Sequence, residues 1–259
     1  MIDLHCHVLP GVDDGPETLD DTLDLCRAAV AAGTRTVVAT PHVSWDWPGN
    51  TSHVVREGVE RVNAALRDAA IQLEVLPGAE VDMIRAADLP DEELVALRLG
   101  GGPYLLIECP FSPAAGGIEP LLTRLGERAH RIVLAHPERS PAFHGHFALL
   151  QSLVAEQGVL TSVTASSFNG RFGSTVERFA RRMLADGLVH DIASDGHGAG
   201  MGRPPSIGPE LADAGFGERA QWHAEAVPRA ILDGTPLPPA PPLPELPPPK
   251  RLLARLRRA

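Results

Sequence analysis

The chain has 259 residues, of which 44% are hydrophobic, so it can bury a sizeable core and is not expected to be disordered. Only 4% of the residues are aromatic, while Gly and Pro number 25 each, which disfavours an all-β sandwich. Residues 1–249 hold 18 basic against 33 acidic residues, a net charge of −15. Because polyphosphate binding requires Lys and Arg, we do not expect nucleic acid as a partner.

Short β-branched or Leu-rich runs alternate with longer amphipathic stretches, which is typical of β-α units that form a parallel sheet. The sequence predicts seven strands, at residues 2–4, 36–39, 73–76, 104–107, 132–134, 159–163 and 189–193. Helical periodicity follows the first two strands at 19–32 and 54–70. Seven such units favour an α/β fold built as a closed or nearly closed barrel, with a doubly wound open sheet as the alternative.

The composition changes after Gly234. Nine of the fourteen residues in 236–249 are proline, which favours extended polyproline II conformation. We therefore predict one domain over 1–234 and a proline-rich linker with a short basic tail over 235–259. The tail is too short to form a stable isolated helix, so we expect it to be solvated, with an acidic partner or a membrane surface as the alternative.

The cysteine pattern and the N-terminus favour a cytoplasmic protein. Cys6, Cys26 and Cys109 show no CxxC spacing, which indicates neither a disulfide framework nor a thiolate zinc site. The first residues lack the basic and apolar regions of a signal peptide. No apolar run approaches the roughly 20 residues that cross a bilayer.

Nearly every predicted strand ends in a side chain that can bind a metal ion. These residues, in chain order, are His5, His7, His42, Glu80, Glu108, His136, Asp195 and His197. In a parallel barrel all these ends open onto the same face, where active sites are built. We therefore expect the eight side chains to converge in one cavity.

Two pairs have the spacing that a strand needs to present both side chains on one side: His5 with His7, and Asp195 with His197. One such pair is weak evidence, but two pairs with four further ligands at strand ends favour a metal site over unrelated polar residues. Imidazole and carboxylate ligands suit Zn, Mn or Fe, and their number indicates two or three ions. Ions a few ångströms apart are the usual clamp for hydrolysing phosphate esters.

Several motifs resemble one family. They are HCH at 5–7, LPGVDDG at 9–15, ATPH at 39–42, HPER at 136–139, NGRFG at 169–173 and ASDGH at 193–197. The sequence resembles the polymerase and histidinol phosphatase (PHP) superfamily and, within it, the bacterial manganese-dependent protein-tyrosine phosphatases of the CpsB/YwqE type, associated with capsular and exopolysaccharide synthesis. The resemblance runs from Met1 to about Pro238. It implies a distorted (β/α)7 barrel with a metal cluster at the C-terminal ends of the strands.

The resemblance also implies how the ligands are grouped. One ion would be held by His5, His7, Glu80 and Asp195. A second would be held by Glu80, as a bridge, together with Glu108 and His136. A third would be held by Asp14, His42 and His197. Asp13 is chemically equal to Asp14, so either is a candidate. Mn²⁺ is the expected ion, with Fe and Zn as alternatives. The sequence departs from the family's pattern at two places. Gly196 stands where the family is expected to have Ala, and the proline-rich tail is not part of the family's core pattern.

Arginines near the same strand ends are candidates for binding phosphate. Arg139 lies three residues beyond His136, where its guanidinium can reach a phosphate bidentately. Arg203 follows Asp195 on the next loop and is the second candidate, and Arg171 is a weaker third. His42 or His197 is the candidate proton donor to the leaving group, provided that it is not fully committed to a metal ion.

Aromatic residues also follow strand ends: Trp45, Trp47, Phe111 and Phe168. They either flank an aromatic phosphoester or pack loops onto the rim of the sheet, and the sequence favours neither. Cys6 and Cys109 lack the CxxxxxR loop of thiol phosphatases, so we expect both to be buried packing residues.

Together these features predict metal-assisted hydrolysis of a phosphomonoester. The resemblance implies that the substrate is phosphotyrosine on a protein, a bacterial tyrosine autokinase that controls polysaccharide export. The alternatives are a small-molecule phosphatase such as histidinol phosphatase, and a non-catalytic metal-binding regulatory module. The physiological metal and the homo-oligomeric state are left open.

Overall fold

The computed structural model describes residues 1–200, 202–244 and 246–248. The predicted basic tail lies outside these residues. Within them the strands are β1 Ile2–Cys6, β2 Thr36–Ala39, β3 His42–Val43, β4 Glu74–Pro77, β5 Glu80–Asp82, β6 Tyr104–Glu108, β7 Arg131–Ala135, β8 Leu160–Thr164 and β9 Asp191–Ala193. All seven predicted strands are present, and the two short strands β3 and β5 were not predicted.

The helices lie between the strands and after β9. They are α1 Leu19–Ala31, α2 Ser52–Asp68, α3 Met83–Asp88, α4 Asp91–Ala96, α5 Ile118–Glu127, α6 Pro141–Gly145, α7 Phe147–Gln157, α8 Ser174–Ala185, α9 Gly208–Ala214, α10 Arg219–Gln221 and α11 Val227–Asp233. Thr18 caps α1 in a capping box with Asp21, and Thr51 caps α2, because each side chain accepts a hydrogen bond from an otherwise unpaired N–H group of the first turn.

Every strand pairing is parallel, and the strands form two hydrogen-bonded sheets. One has the order β1-β2-β4 and the other β3-β5-β6-β7-β8-β9. A bridge between Cys6 and Gly196 joins the end of β1 to the loop after β9. The architecture is therefore an α/β fold with parallel sheets, and the closed (β/α)7 barrel stays a prediction.

Alternation along the strands divides the core into two clusters. In β6, Leu105 and Ile107 belong to a large cluster that includes residues of α5, whereas Leu106 belongs to a smaller cluster that includes residues of α11. Since burying one Leu stabilises a fold by about 1.5–3 kcal/mol, both faces of the strands contribute to stability. Glu108, the last residue of β6, continues the row of Leu106, so its carboxylate lies at the C-terminal end of the strand on the face of the smaller cluster.

A bulge in β1 determines which way its histidines face. Asp3 pairs with Val37 and Cys6 with Ala39, so three steps along β1 oppose two along β2. Leu4 lies in the smaller cluster and Cys6 in the larger one. The extra residue reverses the alternation, which places His5 on the same face as Leu4. Without the bulge, His5 would point toward the helices.

The proline-rich segment lies along the domain rather than apart from it. The Trp222 indole donates a hydrogen bond to the Pro238 carbonyl at 3.2 Å, and Arg181 Nη1 donates one to the Pro247 carbonyl at 2.7 Å. Leu237 and Leu246 pack against the two core clusters. The described part of this segment is therefore anchored by polar and apolar contacts.

Among the described residues, no helix has both the length and the apolar character required to cross a membrane.

A buried histidine beside β9 predicts a pH dependence of stability. His223 Nδ1 donates to the His190 carbonyl at 2.9 Å, and its Nε2 accepts from Arg219 Nε at 3.1 Å, so both ring nitrogens are used by the neutral form. Burial, with the Arg219 charge, lowers the pKa of His223 from 6.5 to about 3. The unfolded chain therefore takes up a proton first as the pH falls below 6.5, and stability is lost in that direction.

We expect His223→Gln to reduce the pH slope of the free energy of unfolding below pH 6.5 by about 1.4 kcal/mol per pH unit, the linkage value for one proton. Urea unfolding between pH 5 and 8, with a chelator present throughout, measures the slope. His53→Gln is the matched control, because the His53 side chain is 66% exposed. Equal slopes in the two variants would contradict this assignment.

Candidate metal centre

Glu80, the first residue of β5, lies at the centre of the convergent side chains. Its Oε2 atom is 3.1 Å from His5 Nε2, 3.3 Å from His7 Nε2 and 3.2 Å from His42 Nδ1. The side chain is fully buried, and Oε2 accepts no hydrogen bond from the described residues. A buried carboxylate oxygen that faces three imidazole nitrogens without a hydrogen bond is the arrangement expected of metal ligands.

The second oxygen of Glu80 faces β7 and β6. His136 Nε2 lies 2.7 Å from Glu80 Oε1 and 3.6 Å from Glu108 Oε1. His136 has a positive φ of 30°. A non-glycine residue in this region is strained, and the strain is retained here where it turns the imidazole back toward Glu80.

The loop after β9 supplies the side chains that face His5 and His7 from the other side. Asp195, with a positive φ of 51°, places Oδ1 3.5 Å from both His5 Nε2 and His7 Nε2. His197 Nδ1 donates to the Asp195 carbonyl at 2.9 Å, which leaves Nε2 to face Asp14 Oδ1 at 3.2 Å. Asp195 Oδ1 and His197 Nε2 are both buried without a hydrogen-bond partner among the described residues.

The structure distinguishes the two adjacent aspartates. Asp13 Oδ2 lies 2.8 Å from His7 Nδ1 and accepts the His42 N–H at 3.0 Å, so Asp13 orients His7 from behind. Asp14 instead forms a group with His7, His42 and His197 whose ligand atoms all lie within 4.8 Å of one another. Asp14 is therefore the better candidate ligand.

All nine predicted ligands come together in the fold. We call them the strand-end cluster: His5, His7, Asp14, His42, Glu80, Glu108, His136, Asp195 and His197. Metal binding by these residues stays a prediction. The cluster lies at the C-terminal ends of β1, β6, β7 and β9 and on the short strands β3 and β5.

Charge in the strand-end cluster is balanced by its own groups and by arginines. Burial opposes ionisation of Glu80, but the attraction of His5 and His136 outweighs it and holds the pKa of Glu80 well below its usual value. Burial, aided by the nearby Glu80 charge, raises the pKa of Glu108 to about 9. Burial, with the Arg139 charge, lowers the pKa of His136 to about 4.

Two of the three candidate arginines contact the cluster. Arg139 Nη2 lies 2.8 Å from Asp195 Oδ2. Arg203 bridges Asp195 Oδ2 at 3.3 Å and Asp14 Oδ2 at 3.0 Å. Arg171 instead donates to the Gly202 carbonyl at 2.7 Å and pairs with Glu210, so it braces two loops.

The candidate aromatic residues separate into exposed and buried ones. Phe168 is fully buried and packs edge-on against Phe216, so of the two alternatives left open for it the structure favours packing. Trp45 and Phe111 are 58% and 60% exposed. Cys6 and Cys109 are buried, as expected, and burial raises the pKa of both thiols.

Sequence reasoning missed the buried polar residues that hold the loops. Asp3 accepts hydrogen bonds from the Ser194 N–H and hydroxyl at 3.0 and 2.6 Å, which fixes the turn that carries Asp195. Glu138 accepts the Thr164 N–H and the Ser167 hydroxyl, which fixes the turn after His136. The sequence signal for these residues was a carboxylate within or next to an apolar strand. Burying such a carboxylate costs free energy unless it accepts hydrogen bonds, so its position indicates a bonded role.

The fold brings imidazole and carboxylate groups, the donor types that bind metal ions, together at one edge of the parallel strands. A sequence model of the family described as "Capsular polysaccharide synthesis, CpsB/CapC" matches residues 1–213. The chain belongs to this CpsB/CapC family.

Individual relatives agree with this assignment. The chain is 36% identical over 197 residues to the tyrosine-protein phosphatase YwqE of Bacillus subtilis, covering 76% of this chain and 77% of that protein. It is 27% identical over 210 residues to the tyrosine-protein phosphatase CpsB of Streptococcus pneumoniae, covering 79% and 86%. A crystal structure from a study of YwqE and CpsB, described there as unique metal-dependent tyrosine phosphatases, superposes with a TM-score of 0.82 at 33% identity, covering 94% of this chain and 99% of that one.

Gly196, between Asp195 and His197, is required by close packing. A Cβ atom there would lie 2.9 Å from Pro205 Cα and 2.9 Å from Ser194 Oγ. We expect Gly196→Ala to lower the free energy of unfolding by about 1–3 kcal/mol, the usual cost of overpacking, because backbone must move. Urea unfolding measures it.

Gly200→Ala, in the same loop, is the matched control, because a Cβ there meets no described atom within 4 Å. We expect its stability to stay within about 0.5 kcal/mol of wild type. If Gly196→Ala is equally harmless, the close approach of Pro205 is not a constraint.

Proposed function

We propose that this protein is a metal-dependent phosphatase that removes phosphate from phosphotyrosine on a protein substrate. One observation carries the proposal. The Glu80 Oε2 atom is buried next to three imidazole nitrogens, yet it accepts no hydrogen bond from the described residues. Membership in the CpsB/CapC family, and relatives named as tyrosine-protein phosphatases, support the substrate class.

The donor set fits two or three divalent ions. Three buried atoms without hydrogen-bond partners among the described residues, Glu80 Oε2, Asp195 Oδ1 and His197 Nε2, face this cluster. His5, His7, Glu80 and Asp195 would hold one ion, Glu80, Glu108 and His136 a second, and Asp14, His42 and His197 a third. Imidazole and carboxylate donors suit Mn, Fe and Zn, and Mn²⁺ is the ion we propose.

Bound ions would supply Lewis acidity for the phosphoryl oxygens and activate water as the nucleophile. Arg139 and Arg203 would hold the phosphate from the side of Asp195 and add positive charge where it builds up on the equatorial oxygens. Phenolate is a good leaving group, so a phosphotyrosine needs little help from a proton donor. Of the two candidate donors, His42 is the accessible one, since 18% of its side chain is exposed against 2% for His197.

The proposed partner is a bacterial tyrosine autokinase of polysaccharide export. The family description and the relative named CapC in Staphylococcus aureus support a role in capsule synthesis. We propose a cytoplasmic location, which three free and buried cysteines favour. Any membrane contact would be indirect or through the basic tail, and self-association would be an additional property.

We further propose that the two sheets form one distorted seven-stranded barrel. Val37 pairs with Val75 and His42 with Glu80, so β2–β3 and β4–β5 keep one register across the break between the sheets. The Asp195 N–H donates to the His5 carbonyl at 2.8 Å and the His7 N–H to the Gly196 carbonyl at 2.9 Å, which supports closure between β9 and β1. The proposed domain is 1–234, and 235–259 is the linker with its tail.

Phosphatase activity should depend on metal and on Glu80. We expect chelation to abolish hydrolysis of a phosphotyrosine peptide and Mn²⁺ to restore it. Glu80→Gln should lower both bound metal, by elemental analysis, and turnover, by more than about a hundredfold, because even changes behind metal ligands cost about 10- to 100-fold.

Glu74→Gln, at an exposed position of β4, is the control and should keep metal and activity. Histidinol phosphate serves as the competing substrate. Activity that survives complete chelation, or faster turnover of histidinol phosphate than of the peptide, would refute the proposed function.

Arg203 should contribute mainly to binding the phosphate. We expect Arg203→Met to raise KM for the phosphotyrosine peptide by about 10- to 100-fold, the effect of losing a charge-assisted hydrogen bond. Steady-state kinetics measure it. Arg171→Met removes an arginine of the neighbouring loop that contacts Glu210, and a comparable rise in KM there would count against a specific role for Arg203.

A further inference from the structure

Phe111 lies at the entrance of the strand-end cluster. It follows Glu108 by three residues on the loop after β6, and it is 60% exposed. Its ring stacks on the His136 imidazole, with centroids 5.7 Å apart and planes 27° apart. His136 stacks in turn on His5 at 5.5 Å and 29°. The Phe111 ring therefore forms the outer layer of a column of rings that leads into the cluster.

Three other aromatic residues near these strand ends have their rings engaged elsewhere. Phe168 is buried against Phe216. The Arg85 guanidinium lies over the Trp45 ring at 4.4 Å, and the Arg139 guanidinium lies over the Phe172 ring at 4.8 Å. Among the described residues, the recorded ring partner of Phe111 is His136 alone. Its outward face is therefore available to a ligand.

Folding does not account for this exposure. A Phe side chain stabilises a protein when it is buried, yet here most of the ring stays in solvent beside a polar cleft. An aromatic ligand that covers it would bury apolar area on both partners and gain the preference of two rings for offset or edge-on contact. Because Phe111 lies next to His136, it favours a ligand whose ring is close to the phosphorus atom of the bound phosphate.

We propose that Phe111 stacks on the phenyl ring of the phosphotyrosine and determines a preference for aryl over alkyl phosphomonoesters. The inference rests on the proposed function and adds to it the residue that selects the substrate class. In an aryl phosphate one ester oxygen separates the ring from phosphorus, so a phosphate held by Arg139 and Arg203 places that ring at the cluster entrance. Serine phosphate has a single methylene there and offers no ring to contact.

Binding of two phosphonates by the metal-loaded enzyme tests this without turnover. Benzylphosphonate and ethylphosphonate share the anionic group and the carbon bonded to phosphorus, and they differ in whether a ring follows that carbon. We expect Phe111→Ala to reduce the preference for benzylphosphonate, measured by titration calorimetry, by about two- to tenfold, the range of one aromatic contact. Phe111→Tyr keeps the ring and should keep the preference. Val95→Ala is the control, because it removes exposed apolar surface on α4.

Two results would overturn the inference. One is a benzyl-to-ethyl preference in Phe111→Ala equal to that of wild type. The other is an equal loss of affinity for both phosphonates together with loss of bound metal, since Phe111 would then act only by packing on His136. Failure of the proposed function is distinguishable, because in that case wild type itself would not hydrolyse a phosphotyrosine peptide.

Discussion

The structure depends on keeping one carboxylate, Glu80, ionised inside the protein. Burial of an unpaired carboxylate costs several kcal/mol even after relaxation, so the charge persists only where positive or polar groups surround it. Nitrogens of His5, His7, His42 and His136 all lie within 3.3 Å of its two oxygens. The ends of β1 and β7 and the starts of β3 and β5 must therefore meet at the same place, and the parallel arrangement brings them together.

The backbone around this group departs from regular geometry where a regular strand would misdirect a ligand. The bulge in β1 turns His5 inward, and the positive φ angles of His136 and Asp195 turn their side chains back toward Glu80. Two of these departures are held by bonded neighbours. Asp3 fixes the turn that carries Asp195, and Glu138 fixes the turn after His136. Such strain persists when the surrounding contacts over-determine it, which is typical of functional sites.

Much of the fold and of the cluster was predictable because two simple regularities coincide. Strand and helix periods alternate along the chain, and the C-terminal ends of parallel strands share one face. The positions of seven strands and the convergence of eight side chains follow from these. The bulge, the short strands at His42 and Glu80, and the roles of Asp13 and Asp14 did not follow, because each depends on contacts between distant segments. Whether Phe168 packs a loop or flanks a substrate was left open for the same reason, since its burial depends on Phe216.

The two interruptions that precede His42 and Glu80 have equal length. Ala39 pairs with Pro77, and His42 pairs with Glu80. Two residues therefore separate β2 from β3, Thr40–Pro41, and two residues separate β4 from β5, Gly78–Ala79. Deleting a single residue from either interruption would rotate one of the two ligands to the opposite face, because side chains alternate along a strand. Natural variation in length should therefore be forbidden at these two places unless it occurs in both at once, whereas the surface loops remain free to grow.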